Sequence, residues 1–214
     1  GEPVYGEKDI ADLGKMRELG RPFWLAGSNA NPGKIKEALA EGAAGCQLGT
    51  IFALCDESGL RIDIKQELRG KAYRKQLDVV VDPVGSSSGF PFNVAQLPGT
   101  MSEVEVFDGR TRVCDLGYLR HAYKNERGKV AFRCPSEPVQ TYLNRGGKIE
   151  DALGRKCLCN GLLATVGLGQ KRKDGTELPI VTLGRSTEFI HELIDNDEGC
   201  YAAIDALRYL LGKP

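Results

Sequence analysis

The sequence has no net charge, very little histidine and no long apolar run. Lysine plus arginine and aspartate plus glutamate balance at 29 each, so no net field draws the chain to nucleic acid or to an anionic membrane. No apolar run approaches the ~18 residues of a membrane span, and no signal-peptide pattern is visible. Neither a repeat of solenoid period nor a low-complexity tract is present. Histidine occurs only at His121 and His191. His191 sits mid-helix among Phe189, Ile190 and Leu193, and both residues read as surface or packing groups rather than bases. Cysteine is not scarce, but the count of seven is odd and the residues are scattered. That argues against a complete disulfide framework and fits free thiols in a reducing cytoplasm.

What is present is an α/β pattern over 214 residues, long enough to bury a sizeable core. It is organised around residues 22–59. Phe23-Trp24-Leu25-Ala26 runs into Gly27-Ser28, and Cys46-Gln47-Leu48 runs into Gly49-Thr50. A continuous apolar run is the pattern of a buried parallel strand. Glycine at its carboxyl end lets backbone N–H groups approach a ligand closely. Between the runs, Asn31-Pro32 is a helix start, with Ile35, Ala38 and Leu39 as the buried stripe and Gly42 as the stop. An earlier helix is expected over residues 9–19 with Asp9 as its cap, and Thr50 is expected to cap a helix that stops at Gly59. A charged helix follows over about residues 62–75. Val79-Val80-Val81 then reads as a third strand, ending in a polar loop at residues 85–92 that closes on Phe90 and Phe92. From residue 99 the pattern becomes turn-rich and cysteine-bearing. It carries a short helix capped by Asn160 and an exposed turn at residues 171–177. Residues 179–183 read as a last strand, followed by two amphipathic helices. The implied divisions are 1–98, 99–175 and 176–214.

Several of these stretches together resemble one family. PFWLAG, GAAGCQLGTIFALCDESG and DPVGSSSGFPFNV are similar to the nitronate monooxygenases, also called 2-nitropropane dioxygenases. CDLGYLR, FRCPSEPV and RKCLCNGLLATVGLGQ resemble a longer bacterial branch of that family. The resemblance implies the C-terminal βα units, about strands seven and eight, of an FMN-binding TIM barrel with a cysteine-containing extension. In such barrels the phosphate sits at the loops after those strands. Gly27, Ser28, Gly49 and Thr50 would then hold the FMN phosphate, with a helix N-terminus adding partial positive charge. The commoner pattern has a second glycine after the first, where this chain has Ser28. If that position requires positive φ, serine weakens the tightest contact.

The implied activity is FMN-dependent oxidation of an alkyl nitronate with O2 to a carbonyl compound and nitrite. Its small-molecule substrate would need neither nucleic acid nor a membrane as partner. No residue here matches the family's histidine base, which belongs to an N-terminal part. The chain is therefore expected to be a C-terminal piece, inactive alone. A flavin-dependent enoyl-thioester reductase, as in the enoyl-ACP reductases, is the alternative on the same barrel. Cys114, Cys134, Cys157 and Cys159 leave two readings open, a zinc or Fe–S site and buried thiols. The only close pair is C-x-C, which could share a metal in a turn but not within a helix, where i and i+2 face apart. If they hold a metal, the chain could instead be a non-catalytic, metal-stabilised interaction module.

Overall fold

A computed structural model describes residues 5–173 and 175–213. The loop-like start at residues 1–4 and position 174 of the expected exposed turn lie outside the described residues. A 3-10 turn at Glu7–Asp9 is followed by α1 (Leu13–Glu18), β1 (Trp24–Ala26), α2 (Pro32–Ala40), β2 (Gly45–Gln47), α3 (Thr50–Ala53) and α4 (Ile62–Tyr73). Next come β3 (Val79–Asp82), β4 (Phe92–Ala95), α5 (Val104–Gly109), β5 (His121–Lys124), β6 (Val130–Arg133), α6 (Val139–Asn144), α7 (Ile149–Ala152) and α8 (Leu158–Thr165). The short β7 (Lys171–Arg172) and β8 (Gly175–Thr176) precede α9 (Ile190–Leu193) and α10 (Ala203–Leu211). The described residues make a mixed α/β chain with four two-stranded sheets and no closed barrel. No helix among them is long and apolar enough to cross a membrane. Two compact units result, residues 79–182 and residues 5–78 with 183–213. The composition shifts in the sequence lie elsewhere, at 98/99 and 175/176.

In the unit of residues 5–78 and 183–213, β1 and β2 pair in parallel, with Trp24 opposite Gly45 and Ala26 opposite Gln47. Asn31 starts α2 as its position predicts. Its Oδ1 accepts from the N–H groups of Gly33 at 2.8 Å and Lys34 at 3.3 Å. The helix stops at Gly42, whose φ of 87° suits the left-handed position after a helix. Ala43 N–H donates back to Ala38 and Gly42 N–H to Leu39, which satisfies the last carbonyls. Phe23, Ala38 and Ala43 form the small core here, flanked by Leu13, Leu25 and Cys46.

Three expectations fail in this unit. Leu39 is half exposed rather than part of the buried stripe. The first helix is capped by Asp12, which accepts from Lys15 N–H, while Asp9 closes the turn before it by accepting from Gly6 N–H. The strand β1 is not fully buried: Trp24 is 60% exposed, because the strand has one partner instead of two covered faces.

The helix α4 buries Ile64, Leu68 and Ala72 and, with them, two cations. The reason lies one element earlier. With a single turn, α3 leaves its final carbonyls without partners within the helix. Lys65 Nζ donates to the carbonyls of Cys55, Asp56 and Ser58 at 3.1, 2.7 and 3.1 Å. Arg69 Nε donates to Leu54 O at 2.6 Å, and its other arm reaches Asp56 Oδ1 at 2.6 Å. The Arg69 guanidinium lies over the Tyr201 ring, 5.4 Å from its centroid. Tyr201 donates its hydroxyl proton to Ile51 O at 2.6 Å. The helices α9 and α10 pack against α4, α2 and α3.

In the unit of residues 79–182, β3 turns back and pairs antiparallel with β4, from Val79 opposite Ala95 to Asp82 opposite Phe92. The third apolar run is thus one arm of a hairpin, not another parallel strand. Asp82 makes the reversal by accepting from the N–H groups of Val84 and Gly85 at 3.0 and 2.7 Å, and Lys156 holds its other oxygen at 2.7 Å. Phe90 is 76% exposed and anchors nothing. The expected strand at residues 179–183 is an extended segment that accepts single bonds from Ala95 and Met101 N–H. It lies against the cluster of Val94, Met101 and Ile180. The exposed turn expected at residues 171–177 is the hairpin of β7 and β8, and it ends in a buried residue, Glu177.

Candidate functional site

The glycine turns after β1 and β2 are the best candidate site. Gly27 has φ 88° and Ser28 has φ 54°. The position after the first glycine therefore does require left-handed backbone, and a serine takes it. For an L-residue that conformation costs ~1–2 kcal/mol. Local bonds hold it in place: Ser28 O accepts from Lys34 Nζ at 2.9 Å, and Ser186 Oγ donates to Ser28 Oγ at 2.7 Å. Non-glycine residues in such backbone collect at functional sites, where surrounding contacts fix them.

A third segment completes the corner. Gly184 N–H donates to Thr50 Oγ1 at 2.9 Å, and a Cβ on Gly184 would stand 2.6 Å from that oxygen. Residues 183–186 thus join both turns, and the sequence reading missed them. The signal was there: an apolar run ending in Gly184-Arg185-Ser186 repeats the small-residue ending of the first two runs. Thr50 does not cap a helix with its side chain. It is the first residue of α3, after Gly49, and its oxygen is engaged as an acceptor. Its own hydroxyl proton remains available to a ligand.

The donors differ from those expected. The first free N–H groups of α2 are consumed by Asn31, and α3 has four residues, too few to develop a useful dipole. Among the described residues, however, no turn or loop hydrogen bond uses the N–H of Gly27, Ser28, Gly49 or Thr50. A cavity of about 170 Å3 beside Ser28 is lined by Asn31, Lys34, Ser186, Glu188 and Tyr209. It is smaller than the ~300–1,000 Å3 that encloses a whole cofactor, and it suits a phosphate end. Lys34 and Glu188 bring one charge of each sign, so attraction for an anion would rest on the turn N–H groups and hydroxyls.

Of the four cysteines of residues 79–182, Cys114 lies near Cys134 and Cys157, and Cys157 near Cys159, but they do not converge on one point. Cys157 is the N-cap of α8 and Cys159 lies in its first turn, so the C-x-C pair straddles a helix start. Among the described residues no group of three or more His, Cys, Asp or Glu is arranged to hold a metal ion. Asn160, expected as the cap, is buried inside α8 and donates to Asp115 Oδ1 at 2.7 Å. Burial pushes the Cys157 thiol up to about 11. Burial also raises the Cys114 thiol, against the opposing pull of Arg120. At pH 8 the Cys157 thiolate fraction is therefore about 10⁻³. Iodoacetamide is expected to leave Cys157 unmodified in the folded protein while it labels the exposed Cys200, as read by peptide mass spectrometry. Labelling of Cys157 at the rate of a free thiol contradicts this account.

No model of a known protein family matches the chain, and no curated protein sequence matches it either.

Proposed function

We propose that the β1–β2 corner is the phosphate grip of an FMN-dependent oxidoreductase of the nitronate monooxygenase type, built from βα units like those at the end of a TIM barrel. One observation carries the reading. Two parallel strands deliver Gly27-Ser28 and Gly49-Thr50 to the same corner with N–H donors unspent, and Gly184 and Ser186 brace both turns. The chemistry of this donor set fits a phosphate, which takes several short hydrogen bonds from backbone N–H and hydroxyl groups at once. Gly27, Ser28, Gly49 and Thr50 would hold the phosphate, and Lys34 would meet its charge. When bound, FMN supplies the electron acceptor for oxidising an alkyl nitronate with O2. The residues of this corner contribute position and hydrogen bonds only.

Titration with FMN and riboflavin tests the assignment. FMN is expected to bind at least ~10-fold more tightly, the equivalent of ~1.4 kcal/mol for the phosphate. Gly184→Ala displaces Thr50 and is expected to remove most of that margin while riboflavin binding stays unchanged. Lys34→Ala should narrow it as well, through the lost charge and the lost hold on Ser28 O. Equal affinities for FMN and riboflavin would defeat the proposal. Separating the nitronate reading from the reductase alternative takes a protein that also carries the family's histidine base: oxygen uptake with an alkyl nitronate is set against NAD(P)H oxidation with an enoyl thioester.

A further inference from the structure

A second candidate site lies in residues 79–182, and its case does not depend on the flavin reading. The hairpin of β5 and β6 and the end of α6 enclose a cavity of about 410 Å3, lined by Lys124, Arg127, Arg133 and Arg145 against one carboxylate, Glu126. This volume falls in the ~300–1,000 Å3 range of small-molecule sites. Among the described residues, Lys124 and Arg127 have no ion-pair partner. Cations gathered at a concave surface and left uncompensated repel one another, and an anion relieves that repulsion.

Two of the cations, Arg133 and Arg145, are held in place. Arg133 lies over the Tyr123 ring at 4.5 Å and the Tyr142 ring at 5.5 Å, and donates to Arg145 O at 2.7 Å. Arg145 is fixed in turn by Glu137 Oε2 at 2.5 Å, a carboxylate that is itself buried. The turn that presents Arg127 is clamped by Asn125, whose Oδ1 accepts from Arg127 N–H and Lys129 N–H, each at 3.0 Å. Gly146, at φ 73°, lines the same cavity, and a Cβ there would stand 3.3 Å from Arg133 Nη1. Fixed guanidinium forks favour bidentate contact with phosphate, and groups already in position lose little freedom on binding.

We propose that this cavity binds a small molecule carrying two or more phosphates, such as a nucleoside diphosphate. With Arg145 paired to Glu137, Lys124, Arg127 and Arg133 remain to meet an anion, more charge than a single carboxylate compensates.

Isothermal titration of the full chain at physiological ionic strength with pyrophosphate, ADP and AMP tests this. ADP and pyrophosphate are expected to bind, with AMP weaker by ~10-fold or more, each added phosphate charge contributing Coulomb energy of this order. The double variant Lys124→Ala/Arg127→Ala removes two exposed charges that brace nothing. It should weaken ADP ~10-fold or more with an unchanged circular dichroism spectrum. Arg133→Lys, which keeps the charge but loses the fork, should weaken ADP too. The proposal is overturned if neither ADP nor pyrophosphate binds, or if the double variant binds ADP as well as the parent. Sulfate competing as strongly as pyrophosphate, or single-stranded RNA binding more tightly than ADP, also overturns it. So does loss of ADP binding in Lys34→Ala but not in the double variant, since that places the anion at the Gly27-Ser28 turn. The preference for FMN over riboflavin is measured separately, so either proposal can fail without the other.

Discussion

Glu177→Gln is expected to destabilise residues 79–182 by about 3–5 kcal/mol, the range for breaking a buried ion pair from one side. The Glu177 side chain is 1% exposed and that of Arg110 is 6%. Arg110 Nε meets Glu177 Oε1 at 2.5 Å and its Nη2 meets Oε2 at 2.9 Å, while Arg172 reaches Oε2 at 2.5 Å. Glutamine can accept at one oxygen only, so it leaves Arg110 buried and half paired. The loss is read from urea unfolding followed by circular dichroism. A change below about 1 kcal/mol, the size for an exposed pair, would mean the network is solvated. Arg110→Met combined with Glu177→Leu should recover most of the loss, because apolar replacement of a buried pair avoids the desolvation of both charges.

The same residue sets a pH dependence. Burial pushes the Glu177 carboxyl up, but the hydrogen bonds and charges of Arg110 and Arg172 outweigh it and hold the folded value below the ordinary one. The unfolded chain then takes up its proton at a higher pH than the folded one. The stability that Glu177 contributes is fully present above the ordinary glutamate value of about 4.3 and is lost as pH falls through the lower folded value. The gap between parent and Glu177→Gln should be constant from pH 7 to 5 and shrink below about pH 4. A gap that widens on acidification would contradict this.

Arg69→Met is expected to cost about 1–3 kcal/mol in the other unit, the penalty for a buried carbonyl that loses its donor. It strips Leu54 O of a buried donor, takes the guanidinium from the half-exposed Asp56 and removes the cation from the Tyr201 ring. Arg69→Lys should rescue little, since one ammonium cannot reach both the carbonyl and the carboxylate along the two directions a guanidinium spans. Hydrogen exchange should accelerate first at residues 51–58, which Arg69 and Lys65 hold. Unchanged exchange there would show that the loop is fixed by other contacts.

The legible parts of this chain were the local ones. The Asn31 cap, the Gly42 stop and the helix through Leu68 are written in residues a few positions apart, so short-range rules find them. The turns at Gly27 and Gly49 were legible for the same reason. Their brace was not: Gly184 meets Thr50 from 134 positions away, and Ser186 meets Ser28 from 158. Val79-Val80-Val81 could be read as a strand, but its direction of pairing depends on the Asp82 side chain and on Lys156, 74 positions further on. Glu177 looked exposed because it follows a charged turn, and only the folding together of Arg110 and Arg172 buries it. For the cysteines, the C-x-C spacing was visible in the sequence, but the outcome turned on where α8 begins.

Trp24 is the only tryptophan in the chain, and it lies in the strand that ends at Gly27. Its indole rests against Gly45 across the strand pair, where an added Cβ would stand 3.2 Å away, yet most of the ring faces water. Excited where tyrosine does not absorb, the fluorescence of the protein therefore comes from one ring, three residues before the proposed phosphate turn. Its emission should be that of a water-exposed indole and should quench when a flavin docks nearby, so that occupancy of the corner can be followed without any attached label.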